Sequence, residues 1–135
     1  MITSPQHIDI GWPLKALFHY IADIENNSQW QSEVIHAEWI TRTEERIGCT
    51  YKEVKRINEE ETDVVFTVSE FIPYQKRTVT FANAISVTIQ FEFLTEEWTR
   101  LYPSVNQPGN NSVHLSCLFL NDLNKLKNML EEVYC

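Results

Sequence analysis

Nine consecutive residues, Ile85-Ser86-Val87-Thr88-Ile89-Gln90-Phe91-Glu92-Phe93, decide the fold class of this sequence of 135 residues. Apolar side chains occupy the odd positions of the stretch and polar side chains the even ones. A period of two puts all the apolar side chains on one face of a β-strand, and a strand with one dry and one wet face is typical of antiparallel sheets. We therefore predict a strand over residues 84–94.

The same alternation continues on both sides of this stretch. It predicts further strands at residues 6–10, 33–41, 48–57, 62–71, 75–82, 98–105 and 112–119. The connections between them are short, for example Pro73-Tyr74. Short connections join antiparallel neighbours, so we expect a meander in which successive strands lie side by side.

Helical spacing appears near both ends of the sequence. Pro13 suits a first helical position because its missing N–H is not needed there. It is followed at helical spacing by Leu14, Leu17, Phe18 and Ile21. This pattern predicts a helix of about ten residues that ends near Asp23, and residues 24–32 predict a second short helix or turn.

A last helix is predicted to begin at Asn121, a residue type that favours the N-cap position. Its apolar stripe consists of Leu123, Leu126, Leu130 and Val133, with Met129 beside it. At ~3.6 residues per turn this helix would span only about four turns.

Composition and charge exclude several classes of protein. The length and the 43% hydrophobic content predict a single globular domain over residues 1–135. The net charge of −8 argues against nucleic acid and against anionic membranes, since both need a positive surface. No apolar run is long enough to span a membrane, and Met1 to Ile10 lack the features of a signal peptide. Three cysteines without a CxxC motif favour a reducing, cytoplasmic location.

Four stretches give the sequence a likeness to a known family. They are Ile8-Asp9-Ile10 with Pro13 and Trp30, Ile47-Gly48-Cys49-Thr50-Tyr51, Val68-Ser69-Glu70-Phe71-Ile72-Pro73-Tyr74, and Val87-Thr88-Ile89-Gln90-Phe91 with Thr99-Arg100-Leu101. Through them the chain resembles the polyketide cyclase/dehydrase and lipid-transport proteins of the START-related helix-grip superfamily, also called SRPBCC. The likeness covers roughly residues 6–120.

This resemblance implies an α+β helix-grip fold. In such a fold a curved antiparallel sheet of six to seven strands surrounds a C-terminal helix, with two short helices near the N-terminus. A ligand cavity lies between the sheet and that helix, and members bind lipids, sterols or polyketides, while some catalyse cyclisation or dehydration. The predicted terminal helix is shorter than the family's, which implies a more open cavity or one completed by a partner.

Two charged residues are candidates for chemistry, each with a simpler interpretation. Glu70 lies between Val68 and Ile72, so it could be a buried acid or base; the favoured alternative is an outward position in solvent. Arg77 shares its strand face with Val79. It could hold a ligand carboxylate or pair with Glu70, whereas the commoner arrangement leaves the guanidinium in solvent.

Other reactive side chains give no recognisable motif. The histidines, His7, His19, His36 and His114, have no second ligand at a zinc-like spacing, and no P-loop, GxGxxG or GxSxG motif is present. Cys117 is interpreted as core filling. We therefore expect no metal ion and no cofactor.

The sequence thus predicts a protein that binds a small hydrophobic molecule, such as a lipid, a polyketide or a sterol-like compound. Two alternatives stay open: a cyclase or dehydratase in which Glu70, Arg77 or Tyr51 steers proton transfer, and a protein-interaction module. The candidate ligand-binding residues are Trp30, Trp39, Tyr51, Phe66, Glu70, Arg77, Val79, Phe81, Val87, Ile89, Phe91, Leu101, Leu126 and Met129.

Overall fold

A computed structural model describes residues 6–81, 84–106 and 112–132, with only the backbone described at 112–118. Its strands form one antiparallel sheet in the spatial order β1-β7-β6-β5-β4-β3-β2. They are β1 (Ile8–Ile10), β2 (Val34–Thr41), β3 (Thr50–Ile57), β4 (Glu60–Ile72), β5 (Lys76–Phe81), β6 (Ile85–Thr95) and β7 (Trp98–Asn106). From β2 to β7 every strand pairs with its neighbour in sequence. The predicted antiparallel meander is therefore confirmed.

Helices precede and follow this meander. Helix α1 (Leu14–Ala22) begins one residue after Pro13, the predicted first helical position, and Pro13 is its N-cap. A single 3-10 turn (Ile24–Asn26) leads into the short helix α2 (Asn27–Trp30). The last helix, α3, spans Ser112–Glu132. No helix in the described ranges is long and apolar enough to span a membrane.

The start of α3 corrects one prediction. Residues 112–119 are helical, so the strand predicted there is wrong, and the terminal helix has 21 residues rather than about four turns. The apolar residues Val113, Leu115, Cys117 and Phe119 recur at every second position, which is the spacing expected of a strand. However, Leu115 and Phe119 also continue the spacing of Leu123 by steps of four, which is helical. A short apolar run fits both a strand period and a helical period. The longer apolar stripe, which extends to Leu123, shows that the segment is helical.

The C-terminal half of α3 packs into one end of the fold. Leu123, Leu126 and Leu130 are at most 3% exposed and share a packed core with Ile89 and Phe91 of β6. Residues of α1, β1 and β7 complete this core: Ile8, Ile10, Leu17, Phe18, Ile21, Ala22 and Leu101, together with Trp30 of α2. The helix is thus held against the inner face of the sheet at this end.

Polar contacts fix the end of α3 to the sheet edge. The indole N–H of Trp12 donates to the Leu130 carbonyl at 3.1 Å, and the Gly11 N–H donates to Glu131 at 2.9 Å. The Lys127 ammonium reaches the Asp9 carbonyl at 2.6 Å. These bonds pair groups near the helix end that would otherwise face the solvent, so they fix the position of α3 along β1.

Candidate functional site

A cavity of about 160 Å³ remains at the other end of the fold, between α3 and the inner face of the sheet. Phe119 and Asp122 of α3 form one wall, and the strands β3 to β7 form the other. Its lining comprises Gln31, Glu33, Tyr51, Glu53, Lys55, Phe66, Arg77, Val79, Phe81, Val87, Val105, Phe119 and Asp122. Asp122 is held in place by Ser32, whose N–H and hydroxyl both donate to it, at 3.3 and 3.2 Å.

Four buried polar residues, Asn27, Tyr51, Glu53 and Arg77, form what we call the polar cluster: the last three line the cavity, and Asn27 contacts Glu53 from α2. Asn27 Nδ2 donates to Glu53 Oε2 at 2.7 Å, which links α2 to β3. Arg77 Nη1 donates to the Ile21 carbonyl at 3.1 Å, which links β5 to the end of α1. All four residues are at most 5% exposed. The cluster therefore connects the sheet to the helical segment and also faces the cavity.

Several atoms of the polar cluster lack a hydrogen-bond partner. Glu53 Oε1, Arg77 Nε and Asn27 Oδ1 are buried without one, and the Tyr51 hydroxyl makes no hydrogen bond to the described residues. Lys55 Nζ approaches Glu53 Oε1 only to 3.9 Å. A buried polar group without a partner is destabilising by roughly 1–3 kcal/mol, and native proteins rarely tolerate one. Glu53 and Arg77, two of the three residues with such an atom, line the cavity, which suggests that a polar group can occupy it.

Burial controls the electrostatics of the polar cluster. Burial raises the pKa of Glu53 above its ordinary value, although Lys55, Asn27 and Arg77 oppose the shift. Burial likewise raises the pKa of the Tyr51 hydroxyl, which stays neutral. A carboxyl with a raised pKa can hold a proton at a pH where an exposed glutamate cannot, so Glu53 can either donate or accept a hydrogen bond.

The pH dependence of Glu53→Gln should reveal this raised pKa. The folded protein binds the Glu53 proton more tightly than the unfolded chain, so wild-type stability falls as pH rises from the ordinary glutamate value of 4.5 through the folded pKa. Glutamine carries no charge and keeps an oxygen for Asn27. The variant should therefore be more stable than wild type at neutral pH, by an amount that shrinks as pH falls to 4.5. Urea unfolding between pH 4 and 8 measures this difference.

Glu70→Gln is the matched control, with the opposite sign. A hydrogen bond from Lys76 lowers the pKa of Glu70, so that carboxylate stabilises the fold above the ordinary glutamate pKa and ceases to do so as pH falls. Glu70→Gln should be no more stable than wild type at neutral pH. Equal pH profiles for Glu53→Gln and Glu70→Gln would contradict the assignment of a raised pKa to Glu53.

Six of the predicted ligand-binding residues line the cavity. They are Tyr51, Phe66, Arg77, Val79, Phe81 and Val87. Arg77 does share the inner face with Val79, and it is held there by its bond to the Ile21 carbonyl rather than left in solvent. Their role in binding a ligand stays a prediction.

Six others lie in the packed core instead. They are Trp30, Ile89, Phe91, Leu101, Leu126 and Met129. Ile89 and Phe91 share a strand face with Val87, but they lie further along β6, within the packed core, where the Phe18 ring of α1 lies 4.9 Å from the Phe91 ring. Phe93 continues the same alternation, yet its side chain is 60% exposed because it lies beyond that core.

The last two predicted residues, Glu70 and Trp39, belong neither to the cavity lining nor to that core, and Glu70 has the outward position favoured from the sequence. Glu70 follows a β-bulge after Val68, and this irregularity turns its carboxylate to the outer face. There it pairs with Lys76 at 3.0 Å and accepts a hydrogen bond from Thr78 at 3.2 Å. Trp39 stacks edge-on against Tyr51 but lines a separate groove.

That separate groove has a volume of about 550 Å³ and lies between the end of α1 and the connection after β2. Arg42 lies over the Trp39 ring at 5.1 Å, and Arg46 lies over Phe71 at 5.8 Å. The buried thiol of Cys49 accepts the Thr43 N–H at 3.2 Å. The groove is larger than the cavity, but its lining supplies no unpaired buried polar atom.

Sequence reasoning missed Glu53, the central acid of the site. The signal was present, because Tyr51 and Glu53 lie two residues apart on β3 and therefore share one face, and the buried Cys49 precedes them at the same spacing. Asn27 gave no signal, since its contact with Glu53 joins residues 26 positions apart. Among the described residues, no group of three His, Cys, Asp or Glu side chains could hold a metal ion. The side chains of His114 and Cys117 lie outside the described part.

No family model matches this sequence, and no curated protein matches it either. Solved structures match its fold. A START superfamily protein from Mycobacterium smegmatis superposes with a TM-score of 0.73 at 12% identity, over 96% of this chain and 97% of that one. The Zhui aromatase/cyclase from Streptomyces sp. R1128 superposes with a TM-score of 0.73 at 11% identity, over 98% and 94%.

A third match is the di-domain ARO/CYC protein StfQ from the steffimycin biosynthetic pathway. Its TM-score is 0.75 at 15% identity, over 93% of this chain but only 44% of StfQ, so this chain spans less than half of that protein. Identities this low establish a common fold and nothing finer. The chain therefore has the α+β helix-grip fold found in START superfamily proteins and polyketide aromatase/cyclases.

Proposed function

We propose that this protein binds a small, mainly apolar ligand, with one polar end, in the cavity between α3 and the sheet. The observation that supports this most is the polar cluster. Glu53 and Arg77 line the cavity and are at most 5% exposed, and each has one buried atom that lacks a hydrogen-bond partner. A ligand that supplies the missing hydrogen bonds removes the penalty of those unpaired atoms.

The rest of the lining fits an apolar ligand body. Tyr51 and Phe66 stack with their ring centres 5.0 Å apart and their planes 9° apart, and Phe81 packs against Phe66 at 4.6 Å. Val79, Val87 and other apolar side chains complete the walls. Ligand sites commonly combine such apolar walls with a few polar groups that orient the ligand. The solved START superfamily and aromatase/cyclase structures give the fold, and the lining residues of this chain support the binding.

Filling the cavity should abolish binding. In a thermal-shift screen of phenols, ketones, fatty acids and sterols, a true ligand at about a hundredfold excess over its Kd should stabilise the wild type by ~2.7 kcal/mol. Val87→Trp places a large ring where Val87 borders the cavity, so the shift should disappear while the circular dichroism spectrum stays native.

The matched control is Val65→Trp. Val65 is the same residue type on β4, but its side chain is 51% exposed. The control variant should keep the full ligand shift. A hit that survives in Val87→Trp binds elsewhere, and a screen without hits counts against the proposal.

A second candidate function, a cyclase-type or dehydratase-type enzyme, is favoured by one observation. Glu53 is a buried carboxyl with a raised pKa, next to the cavity and electrostatically coupled to Arg77. Such a group suits general acid–base catalysis. Glu53 therefore replaces Glu70 as the proposed acid, because Glu70 lies on the outer face in an ion pair. Turnover of a ketide substrate that is lost in Glu53→Gln but kept in Glu70→Gln would support it.

A further inference from the structure

The size of the cavity limits its ligand. Its volume is about 160 Å³. Sites for drug-sized ligands have volumes of roughly 300–1,000 Å³, whereas an apolar cavity of about 150 Å³ admits a molecule as large as benzene. The cavity of this protein therefore matches one ring, and a sterol or a long acyl chain exceeds it.

The walls favour an aromatic ring. Tyr51, Phe66 and Phe81 form a continuous series of ring contacts along the sheet. Phe119 faces them from α3. Aromatic side chains add specific edge and face contacts to the area that they bury, so a planar ring gains more here than an aliphatic group of equal size.

The charges of the lining disfavour an ionised ligand. Three carboxylates, Glu33, Glu53 and Asp122, face two cations, Lys55 and Arg77. A ligand carboxylate would add a fourth acid beside the buried Glu53, and neighbouring like charges disfavour the ionised form of both groups. A ligand ammonium would leave the unpaired Arg77 Nε without an acceptor. Burying an ion in this small site would also require its full dehydration.

A neutral hydroxyl group meets both needs of the polar cluster. It can accept from the hydroxyl of Tyr51, which lines the cavity, and it can donate to the Glu53 carboxyl, whose Oε1 lacks a hydrogen-bond partner, once that buried side chain turns toward the cavity. We propose that the cavity selects an uncharged aromatic molecule of one ring that carries a hydroxyl group, that is, a simple phenol. This inference rests on the proposed binding function and names its ligand class.

Isothermal titration calorimetry at pH 7 with five probes tests the inference. The probes are 4-methylphenol, toluene, 4-methylbenzoate, benzylamine and palmitate. For the wild type, 4-methylphenol should bind at least about tenfold more tightly than toluene, which is the effect of one well-placed hydrogen bond. Its affinity should also exceed the affinities of 4-methylbenzoate, benzylamine and palmitate.

Variants then identify the residues that recognise the hydroxyl. Glu53→Gln and Tyr51→Phe should each reduce the preference for 4-methylphenol over toluene, and toluene affinity should stay within about twofold of wild type because the aromatic walls are intact. Glu70→Gln, on the outer face, should keep the wild-type preference. An unchanged preference in both Glu53→Gln and Tyr51→Phe overturns the inference.

The probes separate failure of the ligand class from failure of binding itself. Tightest binding of 4-methylbenzoate, benzylamine or palmitate, abolished by Val87→Trp, overturns the phenol inference but supports the proposed binding function. If no probe binds, and the wider thermal-shift screen also yields none, both are overturned.

Discussion

Leu126→Ala should lower the free energy of unfolding by about 2–5 kcal/mol, because the truncation removes buried methyl groups and leaves a cavity in a close-packed region. Leu126 is 0% exposed and belongs to the core that α3 shares with β6 and β7. Its neighbours there include Ile89 and Leu101, which are also almost fully buried. Urea unfolding followed by circular dichroism at neutral pH measures the loss.

Lys125→Ala is the control for this prediction. Lys125 precedes Leu126 on the same helix, but its side chain is exposed. Its replacement should change the free energy of unfolding by no more than about 0.5 kcal/mol. A loss for Leu126→Ala below about 1 kcal/mol would mean that this part of α3 borders open space, contrary to the packed core described above.

The sequence predicted the sheet well because its information is local. In β6 the alternation between Ile85 and Phe93 is complete, and the observed strand, Ile85–Thr95, differs from the prediction by one residue at each end. At 112–119 the local pattern was misleading, because an apolar run of that length fits a helix as well as a strand. Only the helical spacing that this run shares with the later leucines of α3 distinguishes a helix from a strand.

The site was harder to predict, because alternation gives the face of a strand but not the position along it. Val87 and Ile89 share a face, yet Val87 borders the cavity and Ile89 lies in the packed core. What separates them is the placement of α3, which depends on contacts more than 100 residues apart in sequence, such as Gly11 with Glu131. The outward position of Glu70 could be expected from its charge but not from alternation, because the bulge after Val68 reverses the pattern.

Arg77→Met should destabilise the protein by roughly 3 kcal/mol at pH 7, the typical loss when one member of a buried polar network is removed. Arg77 is 5% exposed, and its Nη1 is the donor to the Ile21 carbonyl at 3.1 Å. Methionine keeps the length of the side chain but leaves that carbonyl without this donor. It also removes the positive charge that lowers the pKa of Glu53, so the buried carboxylate becomes more costly to ionise.

Arg56→Met is the matched control, since Arg56 lies on β3 with 56% of its side chain exposed and pairs with Glu61. An exposed ion pair of this kind contributes at most about 1 kcal/mol. The loss for Arg77→Met should also decrease as pH falls, because protonation of Glu53 removes the charge that Arg77 balances. The loss for Arg56→Met should not follow the titration of Glu53.

The double variant Arg77→Met/Glu53→Gln tests whether the two side chains act together. With the carboxylate replaced by a neutral amide, loss of Arg77 no longer leaves a buried negative charge, and only the bond to the Ile21 carbonyl is lost. The double variant should therefore be more stable at pH 7 than Arg77→Met alone, and by more than Glu53→Gln stabilises the wild type. Because residues in one network couple while independent residues add, strict additivity would show that Glu53 and Arg77 do not form one electrostatic unit at the cavity.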